Sequence, residues 1–152
     1  MKLKPALNNI IILSCLILFS VTHASPQTNN DRILADINTY RGTHGLHKLE
    51  MNSYISEIAA VHSQRMAANQ VTFGHGGYQQ RMDQLFHQFP HAHGFAENVA
   101  FTYLPSTSVA TLWLQSPGHR KNIEGNFNMT GIGTAYDQNG HAYVTQIFLR
   151  VQ

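Results

Sequence analysis

The only cysteine of this chain, Cys15, lies inside an N-terminal apolar run, Ile10–Val21, so the folded part must form without a disulfide. Two lysines precede this run, and small residues follow it. A positive start, a short apolar stretch and small residues before a cleavage point are typical of a secretory signal peptide. With cleavage after Ala24, we expect residues 1–24 to be the signal peptide and residues 25–152 to form one domain of ordinary size.

The same N-terminal run has two other interpretations. An uncleaved membrane anchor is disfavoured because the run has about a dozen residues, whereas a spanning helix needs about 20. Lipid attachment at Cys15 is disfavoured because the apolar residues continue beyond it to Phe19, and a lipidated cysteine should follow the apolar region. We therefore expect a secreted or periplasmic protein that is not integral to the membrane after signal cleavage.

The composition of the chain excludes several broad classes of protein. Hydrophobic residues make up 43% and charged residues 12%, which suits a packed core and excludes a largely disordered chain. The formal net charge is +2, and it falls to zero once the two N-terminal lysines leave, so nucleic-acid binding is not expected. The mature chain has no thiol, which excludes a cysteine nucleophile and a thiolate metal site.

Hydrophobic periodicity predicts helices in most of the mature chain and a β-hairpin at its end. The predicted elements are a helix capped at Asn29, Asn30 or Asp31, a second from Asn52 or Ser53, a third over Arg81–Phe89, a fourth capped at Ser106 or Ser108, a short segment after Ser116-Pro117, and strands over Ile132–Tyr136 and His141–Val151. His91–Gly94 is predicted as a loop, and His62 as a packed core residue. This order predicts an α+β fold in which helices cover both faces of a small sheet.

Three residues stand out as candidates for chemistry. His75 lies among glycines that would let a ligand approach, Glu97 is an acid inside an apolar stretch, and His119 follows a Ser-Pro-Gly turn. A buried carboxylate needs a partner, because burying an unpaired charge is strongly unfavourable. Two imidazoles and one carboxylate can hold a divalent metal with an open position, and they can equally form a hydrogen-bonded network. The spacing of these residues does not choose between the two.

Five sequence blocks occur in order along the chain. They are Phe73-Gly74-His75, Glu97-Asn98-Val99-Ala100, Trp113 to Ile123, Gly131-Ile132-Gly133 and Tyr143-Val144-Thr145-Gln146-Ile147-Phe148. Together these blocks resemble the CAP superfamily of cysteine-rich secretory, antigen 5 and pathogenesis-related 1 proteins, also called SCP domains. The block that begins at Trp113 is distinctive of the bacterial-type members. The resemblance covers about residues 31 to 150.

The resemblance implies a three-layer α-β-α sandwich with a small antiparallel sheet and a central cavity. In eukaryotic members this cavity holds two histidines and two glutamates, and some members bind zinc there. His75 and Glu97 match one histidine and one glutamate of that set, whereas Ser116 and Tyr143 stand where the others are expected. His119 is the replacement ligand that bacterial-type members imply. The predicted cavity is therefore His75, Glu97, His119 and Tyr143, with the first three as ligands for Zn²⁺ and Tyr143 either lining the cavity or packing.

The resemblance also implies a function. It favours a secreted binding or effector module, whose cavity or adjacent groove takes a small apolar ligand, such as a lipid or sterol, or a protein partner. The alternative is a zinc-dependent hydrolase that uses the same cavity, and a third interpretation is an envelope-associated structural protein. No catalytic residue is assigned, because Ser116 suits a helix N-cap and lacks the G-x-S-x-G surroundings of a serine nucleophile.

Overall fold

A computed structural model describes residues 28–103 and 107–152 of the chain. The elements are α1 (Asn29–Thr43), β1 (Glu50–Met51), α2 (Ser53–Ala67), α3 (Tyr78–Gln88), β2 (Ala92–Thr102), α4 (Thr107–Gln115), α5 (Pro117–Ile123), β3 (Met129–Tyr136) and β4 (Ala142–Val151). The predicted signal peptide, residues 1–24, lies outside the described residues, and so does Ser106.

The four strands in the described part of the chain form one sheet in the order β1-β3-β4-β2. β4 pairs antiparallel with both β2 and β3, whereas the two-residue β1 pairs parallel with β3. α2 and α3 pack on one face of the sheet, and α1, α4 and α5 pack on the other. The predicted α+β sandwich of three layers is thus confirmed, with the short parallel strand β1 as a departure from a purely antiparallel sheet.

An apolar core fills the space on each side of the sheet. Under α2 and α3, the buried apolar residues include Ile55, Ile58, Ala59, Leu85, Ile147 and Leu149. On the opposite side they include Ile33, Ile37, Val109, Trp113, Ile123, Val144 and Phe148. Trp113 is buried and its indole N–H donates to the carbonyl of Val99, so this side chain anchors α4 on β2.

Strand β2 is the main element that the sequence patterns miss. The predicted loop over His91–Gly94 is wrong, because β2 already begins at Ala92 and continues to Thr102. Five consecutive residues of this strand, 96–100, are buried. Helices cover both faces of the sheet, so the strand lacks the alternation of buried and exposed residues that identifies a strand in a sequence. The missed strand carries Glu97.

Local capping chemistry fixes where the helices begin. α1 is capped by Thr28, one residue before the predicted candidates, and Thr28 forms a reciprocal capping box with Asp31. α2 begins after Asn52 as predicted, and α5 begins after Ser116 with a proline in its first turn. α4 already includes Ser108, so this residue is not its cap.

Two glycines of β3 allow α2 to lie directly against the sheet. A Cβ atom on Gly131 would lie 2.3 Å from the backbone carbonyl carbon of Ile55, and one on Gly133 would lie 2.1 Å from the backbone nitrogen of Ala60. Any side chain at these positions would therefore push α2 away from the core beneath it. This close approach positions α2, which carries His62.

A buried arginine fixes the position of α5, which carries His119. Arg41 of α1 is buried, and it donates to four backbone carbonyls, those of His47, Ile123, Gly125 and Phe127. Hydrogen bonds to a charged donor are stronger than those between neutral groups. They tie the end of α1 to the end of α5, which packs against β2.

Candidate functional site

Glu97 of β2 lies at the centre of the candidate site. In the antiparallel register it is opposite Ile147, whose side chain belongs to the core under α2 and α3. Directly opposed residues of an antiparallel pair point to the same face, so the Glu97 side chain also faces α2 and α3. This side chain is fully buried, with an exposed fraction of 0%. A carboxylate in such a position requires strong partners.

Arg81 of α3 is the principal partner of Glu97. Its Nε donates to Oε2 at 2.6 Å and its Nη2 donates to Oε1 at 2.7 Å, which makes a bidentate pair. The third nitrogen, Nη1, donates to the carbonyl of Gly76 at 2.8 Å. Arg81 therefore neutralises the buried carboxylate and also holds the loop that precedes α3.

Arg81 is also the site residue that the sequence interpretation misses. The sequence contains one signal that Glu97 has a basic partner, because an acid in an apolar stretch requires a cation. The second signal is the position of Arg81, which lies four residues before the buried Leu85 and thus on the core-facing side of α3. α3 starts at Tyr78 rather than at the predicted Arg81, because Gly77 takes a left-handed φ of 80° before it. Only the packing of α3 on β2 brings the arginine to Glu97.

His75 approaches Glu97 from the loop between α2 and α3. Its Nδ1 lies 2.9 Å from Oε1 of Glu97. Because an ionised carboxylate only accepts hydrogen bonds, Nδ1 of His75 carries a hydrogen and donates it to Glu97. The side chain is 48% exposed, so the ring reaches solvent while Glu97 fixes its orientation.

His119 is held at the edge of β2 through its backbone. Asn98 donates to the carbonyl of His119 at 3.2 Å, and Asn122 donates to Oδ1 of Asn98 at 2.8 Å. Asn122 also donates to the carbonyl of Glu97 at 3.2 Å. Burial lowers the pKa of His119, and the charge of His75 lowers it further. The structure thus brings the two histidines within electrostatic reach of each other.

Tyr143 lies in an aromatic cluster rather than in the hydrogen bonds around Glu97. Its ring centroid is 5.0 Å from that of Phe101 and 6.3 Å from that of Phe73. Tyr103 extends the cluster, with its ring centroid 5.3 Å from that of Phe101. These are packing contacts, which is one of the two roles predicted for Tyr143.

His62 of α2 supports the loop that carries His75. It is a buried core histidine, as predicted, and its Nε2 lies 2.9 Å from the carbonyl oxygen of Gly74. A carbonyl only accepts, so Nε2 carries the hydrogen. Burial lowers the pKa of His62, although the hydrogen bond to Gly74 opposes this shift. His62 is therefore a neutral donor at pH 7, and it holds the loop from the side of α2.

Because of His62, we expect the free energy of unfolding to fall as the pH drops below about 6.5. The folded pKa lies below the ordinary value, so the unfolded chain binds the proton more readily than the folded one. This contribution to stability is complete above the ordinary pKa and is lost as the pH falls through the folded pKa. One such group changes the free energy of unfolding by at most about 1.4 kcal/mol per pH unit.

Urea unfolding at about pH 7.5 and about pH 5.5 measures this difference. His62→Gln retains an N–H donor for Gly74 and does not titrate, so it should reduce the loss of stability at the lower pH. His91→Gln is the matched control, because His91 is exposed. An equal loss in the wild type and both variants would contradict the assignment to His62.

The predicted zinc ligands do not fit a metal ion as their side chains lie. Both carboxylate oxygens of Glu97 accept from Arg81, and Nδ1 of His75 donates to the same carboxylate. Across residues 28–103 and 107–152, no three His, Cys, Asp or Glu side chains form a group that could hold a metal ion. Zinc binding by His75, Glu97 and His119 stays a prediction.

A groove of about 560 Å³ runs between α2 and α3 beside the Arg81–Glu97 pair. Its apolar lining includes Ile58, Val61 and Val71, and its polar lining includes Glu57, Arg65 and Gln84. His62 and Arg81 line it as well. The groove and the cluster around Glu97 therefore share a wall. No sequence pattern indicates this groove, because its residues come from two helices and the loop between them.

Comparisons with known proteins agree with this architecture. Residues 34–148 match the family model described as CAP, the cysteine-rich secretory protein family. The uncharacterized membrane protein YlbC of Bacillus subtilis (strain 168) is 32% identical over 129 residues, which are 82% of this chain and 35% of YlbC. The chain thus spans about a third of the length of that relative.

Solved structures show the same arrangement of helices and strands. An extracellular protein from Bacillus anthracis that contains an SCP domain is 30% identical, with a TM-score of 0.62 over 80% of this chain and 40% of that one. An outer surface protein from Borrelia burgdorferi has a TM-score of 0.70 at 16% identity, over 85% of this chain and 97% of that one, and shows the fold alone. In the part of the chain that the structure describes, no helix combines the length and apolar character needed to cross a membrane.

Proposed function

The chain belongs to the cysteine-rich secretory protein (CAP) family, and from this membership we propose that it is an exported binding module rather than an enzyme. Its ligand occupies the groove between α2 and α3. The observation that carries the proposal is the groove itself, about 560 Å³ in volume, whose lining combines apolar side chains with charged and amide groups. A small ligand with an apolar body and a polar end, such as a lipid with its head group, matches this lining.

The contacts of Glu97 support binding over hydrolysis. A general base must reach the proton that it removes, either directly or through one water. Glu97 is fully buried and accepts hydrogen bonds from Arg81 and His75. These contacts support a structural role for Glu97, which holds the loop that carries His75 and the wall of the groove.

Export of the module is supported by the predicted signal peptide over residues 1–24 and by the relative from Bacillus anthracis, which is described as extracellular. We propose that the mature domain is secreted or held in a periplasm. This chain covers only 35% of the relative named as a membrane protein, so that name is not carried over. An effector role, in which the groove binds a protein partner, uses the same surface.

Val61→Asn tests the groove with anilinonaphthalene sulfonate, a fluorescent probe that has an apolar ring system and an anionic end. Val61 lines the groove and is 49% exposed, so its replacement should leave the fold intact. We expect the variant to bind the probe about fivefold more weakly, because roughly 1 kcal/mol of apolar contact is lost. Fluorescence titration measures the affinity.

Leu112→Asn is the matched control for the probe titration. Leu112 is 37% exposed and lies on α4, in the opposite layer of the fold. We expect this variant to bind the probe like the wild type. Equal weakening by both substitutions, or by neither, would place the probe outside the groove and overturn the proposal.

A zinc-dependent hydrolase that uses His75, Glu97 and His119 is the second candidate. One observation favours it, because Glu97 orients the half-exposed ring of His75 as carboxylates orient imidazoles in many catalytic and metal sites. Hydrolysis of p-nitrophenyl acetate by the wild type and His75→Ala, with zinc and with EDTA, separates the two functions. We expect no turnover above the buffer rate. Zinc-dependent turnover that is lost in His75→Ala would favour the hydrolase.

A further inference from the structure

We infer that Arg81 is the resident cation of the cluster around Glu97, in the place that a divalent metal would otherwise take. Zinc enters this cluster only when the guanidinium is removed. The inference concerns the cluster and not the groove, so it stands or falls independently of the proposed binding function.

The guanidinium of Arg81 occupies both oxygens of the Glu97 carboxylate. Zinc binds a carboxylate oxygen at about 2.0–2.2 Å. The guanidinium nitrogens of Arg81 lie 2.6 Å from Oε2 and 2.7 Å from Oε1 of Glu97, on the side of the carboxylate that a chelated ion would use. A metal ion and this guanidinium therefore cannot bind the two oxygens together. The ring of His75 donates to Oε1 from its Nδ1, so that nitrogen is not a metal ligand either.

The positive charge of Arg81 already balances the negative charge of Glu97. The Glu97 side chain has an exposed fraction of 0%, and an isolated buried carboxylate is strongly unfavourable. Within residues 28–103 and 107–152, Arg81 and His75 are the basic residues that pair with Glu97, and Arg81 alone carries a permanent charge. One positive charge thus already balances one negative charge. A divalent ion would add a net positive charge to a buried site.

The surroundings of Glu97 explain why the loss of Arg81 would leave a place for another cation. The Nδ1 atom of His75 lies 2.9 Å from Oε1 of Glu97, and the Glu97 side chain is fully buried. Without the guanidinium, the buried carboxylate would keep the imidazole of His75 beside it and would lack a permanent positive charge. Carboxylate oxygens and imidazole nitrogens are ligands that zinc accepts. The cluster would then need a cation from solution.

Arg81→Gln tests the inference, because glutamine keeps polar contacts without a charge. We expect zinc to bind this variant at least tenfold more tightly than the wild type in calorimetry. We also expect zinc to raise the melting temperature of the variant above its value in EDTA, while that of the wild type does not change. Arg81→Lys keeps a positive charge at the same position and should behave like the wild type.

Two controls isolate the site. Arg32→Gln removes an exposed arginine of α1, in the opposite layer of the fold, so this variant should bind zinc like the wild type. Exposed histidines elsewhere, such as His91 and His93, would bind zinc equally in every variant. Arg81→Gln combined with His75→Ala should therefore lose the added affinity and keep only that background.

Each outcome decides the inference. Zinc affinity that is equal in the wild type and Arg81→Gln would overturn it, as would a folded Arg81→Gln whose melting temperature zinc does not change. If Arg81→Gln does not fold in EDTA, it is refolded from urea with zinc present. Recovery of the folded signal would support a metal in place of the guanidinium, and no recovery would contradict it.

Discussion

Gly133→Ala is expected to lower the free energy of unfolding by about 3 kcal/mol or more. The added Cβ would lie 2.1 Å from the backbone nitrogen and 2.3 Å from the Cα of Ala60, distances that real Cβ atoms essentially never show. Both atoms belong to the helix backbone, so no side-chain rotation relieves the contact. Helix α2 has to move off β3 and open the core beneath it. Urea unfolding measures the loss.

Gly118→Ala is the control for this prediction. Gly118 lies within α5, and a Cβ at this position would have nothing within 4 Å. Alanine has a higher helix propensity than glycine, so this variant should be unchanged or more stable by about 0.5–1 kcal/mol. A Gly133→Ala protein as stable as Gly118→Ala would show that α2 does not pack on β3 as closely as described.

Arg81→Met is expected to lower the free energy of unfolding by about 3–5 kcal/mol, because it leaves the Glu97 carboxylate buried without its cation. The Arg81 side chain is 10% exposed and that of Glu97 is 0% exposed, so solvent screens the pair little. Urea unfolding with and without the substitution measures the loss. Arg65→Met, an exposed change on α2, should shift stability by no more than about 0.5 kcal/mol.

The double substitution Arg81→Met with Glu97→Leu separates the ion pair from packing. Removing both partners of a buried pair is often close to neutral, whereas removing one leaves an uncompensated charge. We therefore expect the double variant to be more stable than Arg81→Met alone. If the two single losses simply add in the double variant, the pair makes no coupling contribution, and its central place in the site would be contradicted.

The parts of the fold that the sequence predicts well are those with local causes. Helices begin after Asn52 and Ser116 as predicted, because the side chain of Asn52 accepts from the N–H of Ile55 and a proline opens α5, and both causes lie within one turn of the chain. The turn from Asp137 to Gly140, which joins β3 and β4, is also predicted, because its hydrogen bonds lie within a few residues of one another. β2 is missed because burial on both faces removes its alternation, and that burial comes from helices that are distant in the sequence.

The same distinction between local and long-range causes applies to the candidate site. His75, Glu97 and His119 can be selected from the sequence, because an acid in an apolar stretch and histidines beside glycine and proline turns are unusual. The packing of α3 on β2 pairs Arg81 with Glu97 across 16 positions of the chain, and no local pattern reports that contact. The same contact decides that the carboxylate is neutralised rather than open to a metal.

The sequence is sufficient to predict the order of helices and hairpin, the lack of cysteine in residues 25–152, an acid in an apolar stretch that needs a partner when it is buried, and the family of the chain. Each of these depends on residue identity or on neighbours within a few positions. The packing of the elements against one another pairs Arg81 with Glu97, places Tyr143 in the aromatic cluster and forms the groove between α2 and α3. Those features arise where separate elements meet, and the energies of burial and charge pairing act only after the elements have packed.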